Sequence, residues 1–194
     1  MVRLILAGLA LVLAAGAAFI GYRTFSFTAP PPPAAVEIPD TSTYQIDASA
    51  AAMRLAEAIR FRTVSLVEET EDRAQFVQFH TWLQQRYPAF HAAARREMVG
   101  ELSLLYTWEG SDPGQPPIIL LAHQDVVPVP NDTRQNWQVD PFGGVIRDDA
   151  IWGRGAIDDK GSLIALMEAA EFFAAQGRQP TRTIIFAFGH DEEL

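Results

Sequence analysis

The sequence contains no cysteine, which removes disulfide bridges, thiolate-bound zinc and cysteine nucleophiles together. Basic residues are also scarce. Lysine and arginine number 15 against 24 acidic residues, for a formal net charge of −9, and such a chain lacks the basic face that nucleic acid requires. There is no G-x-S-x-G elbow, no HExxH helix and no internal repeat, which sets aside the α/β serine hydrolases and the zincins. Lys160-Gly161-Ser162 holds phosphate-loop residue types in the wrong order, with no preceding GxxxxG. Gly153-Arg154-Gly155 begins like a dinucleotide fingerprint, but Asp158 stands at the third glycine position, placing an anion where a pyrophosphate would sit.

Long apolar runs are confined to the N-terminus. Leu4 to Tyr22 carries no charge and is flanked by Arg3 and Arg23. At about 1.5 Å per residue it can cross a hydrocarbon core of about 30 Å. The competing reading is a cleaved signal peptide with Leu4–Leu13 as its apolar region and Ala15-Gly16-Ala17 or Gly16-Ala17-Ala18 as the cleavage site. Phe19 and Ile20 extend the apolar character past such a site, favouring an anchor. One arginine on each side gives no orientation. Residues 1–25 are therefore expected to be an anchor or signal peptide, with the following domain on the exported side of a membrane, or secreted or periplasmic after cleavage. Residues 26–45, with Pro30-Pro31-Pro32-Pro33 and Pro39, are expected to form an extended linker.

Residues 46–194 read as one α/β unit. Asp47–Arg60 is helical in period with Asp47 as a cap, and Thr70–Tyr87 resumes that period with Phe76, Phe79, Leu83 and Tyr87 on one face. Leu102–Trp108 reads as a strand. Ile118–Ala122 and Thr183–Phe188 read as strands buried on both faces, as in parallel sheets. A long polar connection at Asn131–Gly144 embeds Trp137 and Phe142, and a turn is expected at Asp148-Asp149. Leu163–Ala175 is an amphipathic helix stopped by Gly177. His80 and His91 have no acidic partners at ligand spacing and read as structural or surface residues.

Three clusters carry candidate chemistry: His123/Asp125, Asp158/Asp159 and Asp191/Glu192/Glu193. Two follow apolar strands directly, and alternation along a strand sends His123 and Asp125 to the same side. If both strands lie in one parallel sheet, all three clusters converge at its carboxyl edge, where ligands gather. So many carboxylates in one volume repel unless something positive sits among them. Oxygen and imidazole donors suit zinc, manganese or cobalt, and the histidine argues against calcium.

His123-Gln124-Asp125, then Trp152-Gly153-Arg154-Gly155-Ala156-Ile157-Asp158-Asp159-Lys160-Gly161-Ser162, then Gly189-His190-Asp191-Glu192-Glu193 resemble the HxD, GRGxxDxKG and DEE motifs of the dinuclear zinc exopeptidase and aminoacylase family. Trp137 with Asp140-Pro141-Phe142 resembles the segment joining the first two motifs. His190 makes the last motif most similar to the carboxypeptidase S and N-acyl amino acid hydrolase branch. The resemblance runs from about Leu55 to Leu194.

That resemblance implies an α/β fold with a mostly parallel sheet flanked by helices. It implies two Zn2+ ions per complete active site, with Co2+ or Mn2+ as possible substitutes. His123 would bind one ion, Asp158 would bridge both and Glu193 would bind the other. Glu192 would be the general base, and Asp125 would orient His123. Asp159, Lys160 and His190 fit the motifs without a ligand role, and read as a helix-start anion, a solvated charge and a packed imidazole. The implied reaction is hydrolysis of an amide bond next to a free carboxylate in a peptide or N-acyl amino acid. Alternatives are a deacetylase or desuccinylase of the same family, or a catalytically inactive membrane-tethered remnant. The family would supply further ligands and a lid domain after the DEE motif, so the site is expected to be incomplete within residues 1–194.

Overall fold

A computed structural model describes residues 2–29, 44–65 and 73–194. The chain divides into two units, Met1–Thr43 and Tyr44–Leu194. In the first, α1 (Val2–Phe25) has no buried residue and is long and apolar enough to cross a membrane. The residues expected to form the proline linker lie mostly outside the described residues.

The second unit opens with α2 (Ala48–Ile59), capped by Asp47, whose Oδ1 accepts from the Ala50 amide at 3.0 Å. Then come α3 (Arg73–Arg86) and α4 (Pro88–Ala93). Strands β1 (Arg95–Val99), β2 (Ser103–Trp108) and β3 (Ile118–His123) follow. A hairpin of β4 (Val145–Arg147) and β5 (Ala150–Trp152) turns at Asp148 and Asp149, each with φ of 55°. The unit closes with α5 (Lys160–Ala175) and β6 (Ile184–Gly189).

Strand order in the larger sheet is β1-β2-β6-β3. The architecture is α/β with a sheet and flanking helices, but the sheet is mixed rather than mostly parallel. β3 and β6 run parallel with His123 opposite Gly189, whereas β1–β2 and β2–β6 are antiparallel. The parallel pair is possible because a helical crossover, α5, lies between the two strands. β1 and β2 instead meet through a tight turn at Gly100, where φ is +62°.

Side-chain alternation divides the sheet into two faces. Leu104, Tyr106, Trp108, Phe186, Phe188, Leu120 and Ala122 belong to one core with Phe79, Leu83, Tyr87 and Phe90 from the helices and Leu163 and Met167 from α5. On the opposite face Ile119 and Leu121 are exposed, Leu121 at 73%. The expectation that β3 is buried on both sides is thus corrected. It is an edge strand among the described residues, and only one of its faces is covered.

Three polar connections join the helical layer. Arg54 pairs with the buried Glu168, which also accepts from Tyr87 Oη at 2.8 Å, tying α2 and the residue before α4 to α5. Burial, and then the Glu168 carboxylate, push the Tyr87 hydroxyl well above its ordinary pKa. Glu171 accepts from the Ala89 and Phe90 amides at 3.1 and 2.8 Å, so a carboxylate serves the free N–H groups at the start of α4.

Candidate metal centre

The parallel pairing of β3 and β6 brings the two strand exits side by side. His123 ends β3, and Gln124 continues the ladder by donating its amide N–H to the Gly189 carbonyl at 2.8 Å. Asp191, Glu192 and Glu193 follow β6, and Asp158 and Asp159 enter α5. The convergence expected from the sequence is therefore present.

His123 is 8% exposed and lies at its middle. Its Nε2 is 2.9 Å from Asp158 Oδ1 and 3.8 Å from Glu192 Oε2. One donor atom from each of His123, Glu192 and Glu193 falls within 4.8 Å of the others, an arrangement that could hold a metal ion. On the other side of the ring, Nδ1 is 3.1 Å from the Asp125 carbonyl and 3.3 Å from Asp125 Oδ1. Both ring nitrogens face acceptors, so a cation held at Nε2 would leave the ring N–H on Nδ1, against Asp125. Asp125 is fully buried. Its Oδ2 accepts from the Glu193 amide at 3.0 Å, which links the exit of β3 directly to the exit of β6.

Electrostatics agree with this geometry. Burial works against protonation of His123, but the bond to Asp158 and the charges of Asp125 and Asp159 raise its pKa overall. Burial and the carboxylates of Asp158, Asp125 and Glu192 raise Glu193, against the pull of His123. One imidazole among crowded carboxylates is a donor set suited to zinc or a similar cation.

The remaining motif residues fall into place differently. Asp159 sits at the start of α5 without a side-chain cap bond, and its Oδ2 accepts from the His123 amide at 3.2 Å. His190 is packed as expected, with Nδ1 2.7 Å from Ser103 Oγ and its ring edge-on to Phe76. Lys160 is a correction. It is expected as a solvated charge but is 0% exposed, and burial lowers its pKa to about 7. Its Nζ donates to the carbonyls of Ala58 at 3.0 Å and Phe61 at 2.6 Å.

Reasoning from the sequence also misses Gln124. This fully buried side chain donates from Nε2 to the Leu102 and Phe188 carbonyls at 3.1 and 2.9 Å. Its Oε1 meets His80 Nε2 at 2.6 Å. Because Nε2 of Gln124 is committed to two carbonyls, Oε1 must accept and His80 must donate. His80 is structural, as expected, and burial lowers its pKa to about 4. His91 is held by the Tyr87 carbonyl and Tyr106 Oη.

The centre opens onto a cavity of about 710 Å³ along the uncovered sheet face, lined by Leu105, Leu121, Ala187, His123, Asp159 and Glu192 among others. Polar groups gather at one end of an apolar shelf, the usual layout of a small-molecule site.

Comparison with known proteins follows the same motifs. Residues 119–194 match the peptidase family M20/M25/M40. The chain is 40% identical over 177 residues to the probable carboxypeptidase S-like 2 of Dictyostelium discoideum, covering 89% of this chain and 34% of that protein. It is 40% identical over 144 residues to carboxypeptidase S of Saccharomyces cerevisiae, covering 73% and 25%. With the N-fatty-acyl-amino acid synthase/hydrolase of Mus musculus it shares 38% identity over 139 residues, covering 71% and 27%. The chain thus spans a quarter to a third of the length of these curated relatives. Its fold is similar to human carnosine dipeptidase 1 (TM-score 0.62, 23% identity, 75% of this chain and 32% of that one). It is also similar to an M20 family metallo-carboxypeptidase from Sulfolobus solfataricus (TM-score 0.58, 22% identity, 74% and 31%).

Proposed function

The chain belongs to the peptidase M20/M25/M40 family, on its carboxypeptidase S-like side, and from that premise we propose that the whole protein hydrolyses an amide bond next to a free carboxylate. The substrate is a peptide or an N-acyl amino acid. The observation that carries this reading is the meeting of Asp158, Glu192 and Glu193 around His123 Nε2 at the carboxyl ends of a parallel strand pair.

In this reading His123 would hold one Zn2+ and Glu193 a second, with Asp158 as a ligand available to both, and Co2+ or Mn2+ could substitute. Such ions, when bound, would polarise the scissile carbonyl and lower the pKa of a water. Asp125 aims His123, since both its carbonyl and its carboxylate lie against Nδ1. Glu192 Oε2 takes the proton as the water oxygen attacks the carbonyl carbon. It then delivers that proton to the departing amide nitrogen, so the base finishes unprotonated. Glu192 suits this role because its side chain is exposed to the cavity whereas Asp125 is sealed. The apolar helix α1 supports attachment to a membrane or export across it.

The test uses the protein expressed from its complete coding sequence. Wild type should hold two zinc ions by elemental analysis and cleave an N-acyl amino acid in a chelator-sensitive manner. Glu192→Gln should keep the zinc and lose several orders of magnitude in rate. Asp158→Ala should lose zinc itself. Equal zinc loss in the two variants would overturn the division of roles, and a wild type without zinc would overturn the reading altogether.

A further inference from the structure

Lys160 is the single lysine of the chain, and it is completely buried with no carboxylate partner among the described residues. Holding a cation there is costly unless its hydrogen bonds do something that a neutral residue could not. Satisfying its two acceptors is not the reason. The Ala58 carbonyl also accepts from the Phe61 amide at 3.3 Å, and the Phe61 carbonyl from the Thr63 amide at 3.0 Å.

What the ammonium does is join two segments. It stands at the first position of α5, directly after Asp158 and Asp159. Its Nζ grips the carbonyl end of α2, which carries the negative end of the helix dipole. That end leads straight to Thr63, which is bonded to the exit of β3 twice. Thr63 Oγ1 donates to the Gln124 carbonyl at 2.6 Å, and the Thr63 carbonyl accepts from the Val126 amide at 3.0 Å. These two bonds bracket Asp125. The turn before Asp158 passes close to both segments: a methyl on Gly155 would lie 2.6 Å from Val126 Cγ1 and 3.5 Å from Lys160 Cδ.

We infer that Lys160 is a positioning residue: it fixes the segment bearing Asp158 and Asp159 against the segment bearing His123 and Asp125, and so sets the spacing of the metal donors. This rests on the metal reading above. The chain of contacts runs from Asp158 through Lys160, Phe61 and Thr63 to Asp125 without passing through a metal, so it exists before any ion binds.

The experiment compares wild type with Lys160→Met, which keeps the stem and removes the donor. Zinc affinity is measured by competition with a chromophoric chelator, the Co2+ absorption spectrum reports donor geometry, and urea unfolding reports stability. Since both carbonyls retain a backbone donor, the unfolding midpoint should change little. Zinc affinity should fall at least tenfold, within the range seen when groups supporting metal ligands are removed, and the Co2+ bands should shift. Unchanged affinity and spectrum in a folded variant would overturn the inference. A wild type that binds no zinc would instead refute the metal reading on which it stands. If the variant does not fold, uniformly 13C,15N-labelled wild type is followed at the assigned Lys160 side-chain signal; its displacement in step with zinc supports the inference, and its indifference overturns it.

Discussion

His80 offers a quantitative test of the buried polar network beside the candidate metal centre. It is 5% exposed, and its Nε2 donates to Gln124 while burial holds its pKa at about 4, against 6.5 in an open chain. The folded-state value is depressed, so the unfolded chain binds the extra proton between these two values. Stability from a neutral His80 is therefore fully present above pH 6.5 and is lost as pH falls toward 4. At pH 7 the loss is only about 0.2 kcal/mol, and at pH 5 it reaches about 2 kcal/mol, from the ratio of proton-binding terms for the two states. His80→Gln removes the titration while leaving an amide N–H able to donate to Gln124 Oε1. Urea unfolding of both proteins at pH 7 and pH 5 should show wild type losing about 2 kcal/mol more than the variant. Equal losses would refute the reasoning, because they would mean that His80 is solvated or already charged in the native state.

Two other perturbations act on the fold itself. Glu168→Ala should cost about 3 kcal/mol in urea unfolding, since it strips a buried carboxylate from both Arg54 and Tyr87; a loss under about 1 kcal/mol, typical of a surface pair, would show that the cluster is solvated. Gly144→Ala should destabilise strongly, because φ is +55° and a methyl there would lie 1.9 Å from the Ala56 carbonyl oxygen of α2. A melting temperature matching wild type would contradict that close approach.

The parts of the fold that were legible are those where one local pattern had one outcome. The apolar runs at Ile118 and Thr183 became β3 and β6, Asp47 capped α2, and the paired aspartates at 148 and 149 formed the hairpin turn. The meeting of the three acidic clusters followed from the parallel pair. β1 escaped because Arg95-Arg96-Glu97 is charged and wholly exposed, as edge strands often are. α4 also escaped: Pro88, which ends the helical period of α3, begins it, at a position where a missing N–H costs nothing. An unbroken apolar run is the same for a central and an edge strand, so the open face of β3 could not be read from it. The burial of Lys160 and Gln124 was hidden for another reason: their partners are backbone carbonyls, which carry no mark in a sequence.

The sealed position of Lys160 has a chemical consequence beyond the candidate metal centre. The Tyr44–Leu194 unit contains no other lysine, so while folded it presents no side-chain amine to acylating reagents or aldehydes. Any adduct on Lys160 records a moment when the junction of α2 and α5 has come apart. Each 1.4 kcal/mol or so of opening free energy slows such modification tenfold, and mass spectrometry of one residue then reads the local stability of that junction in the native protein.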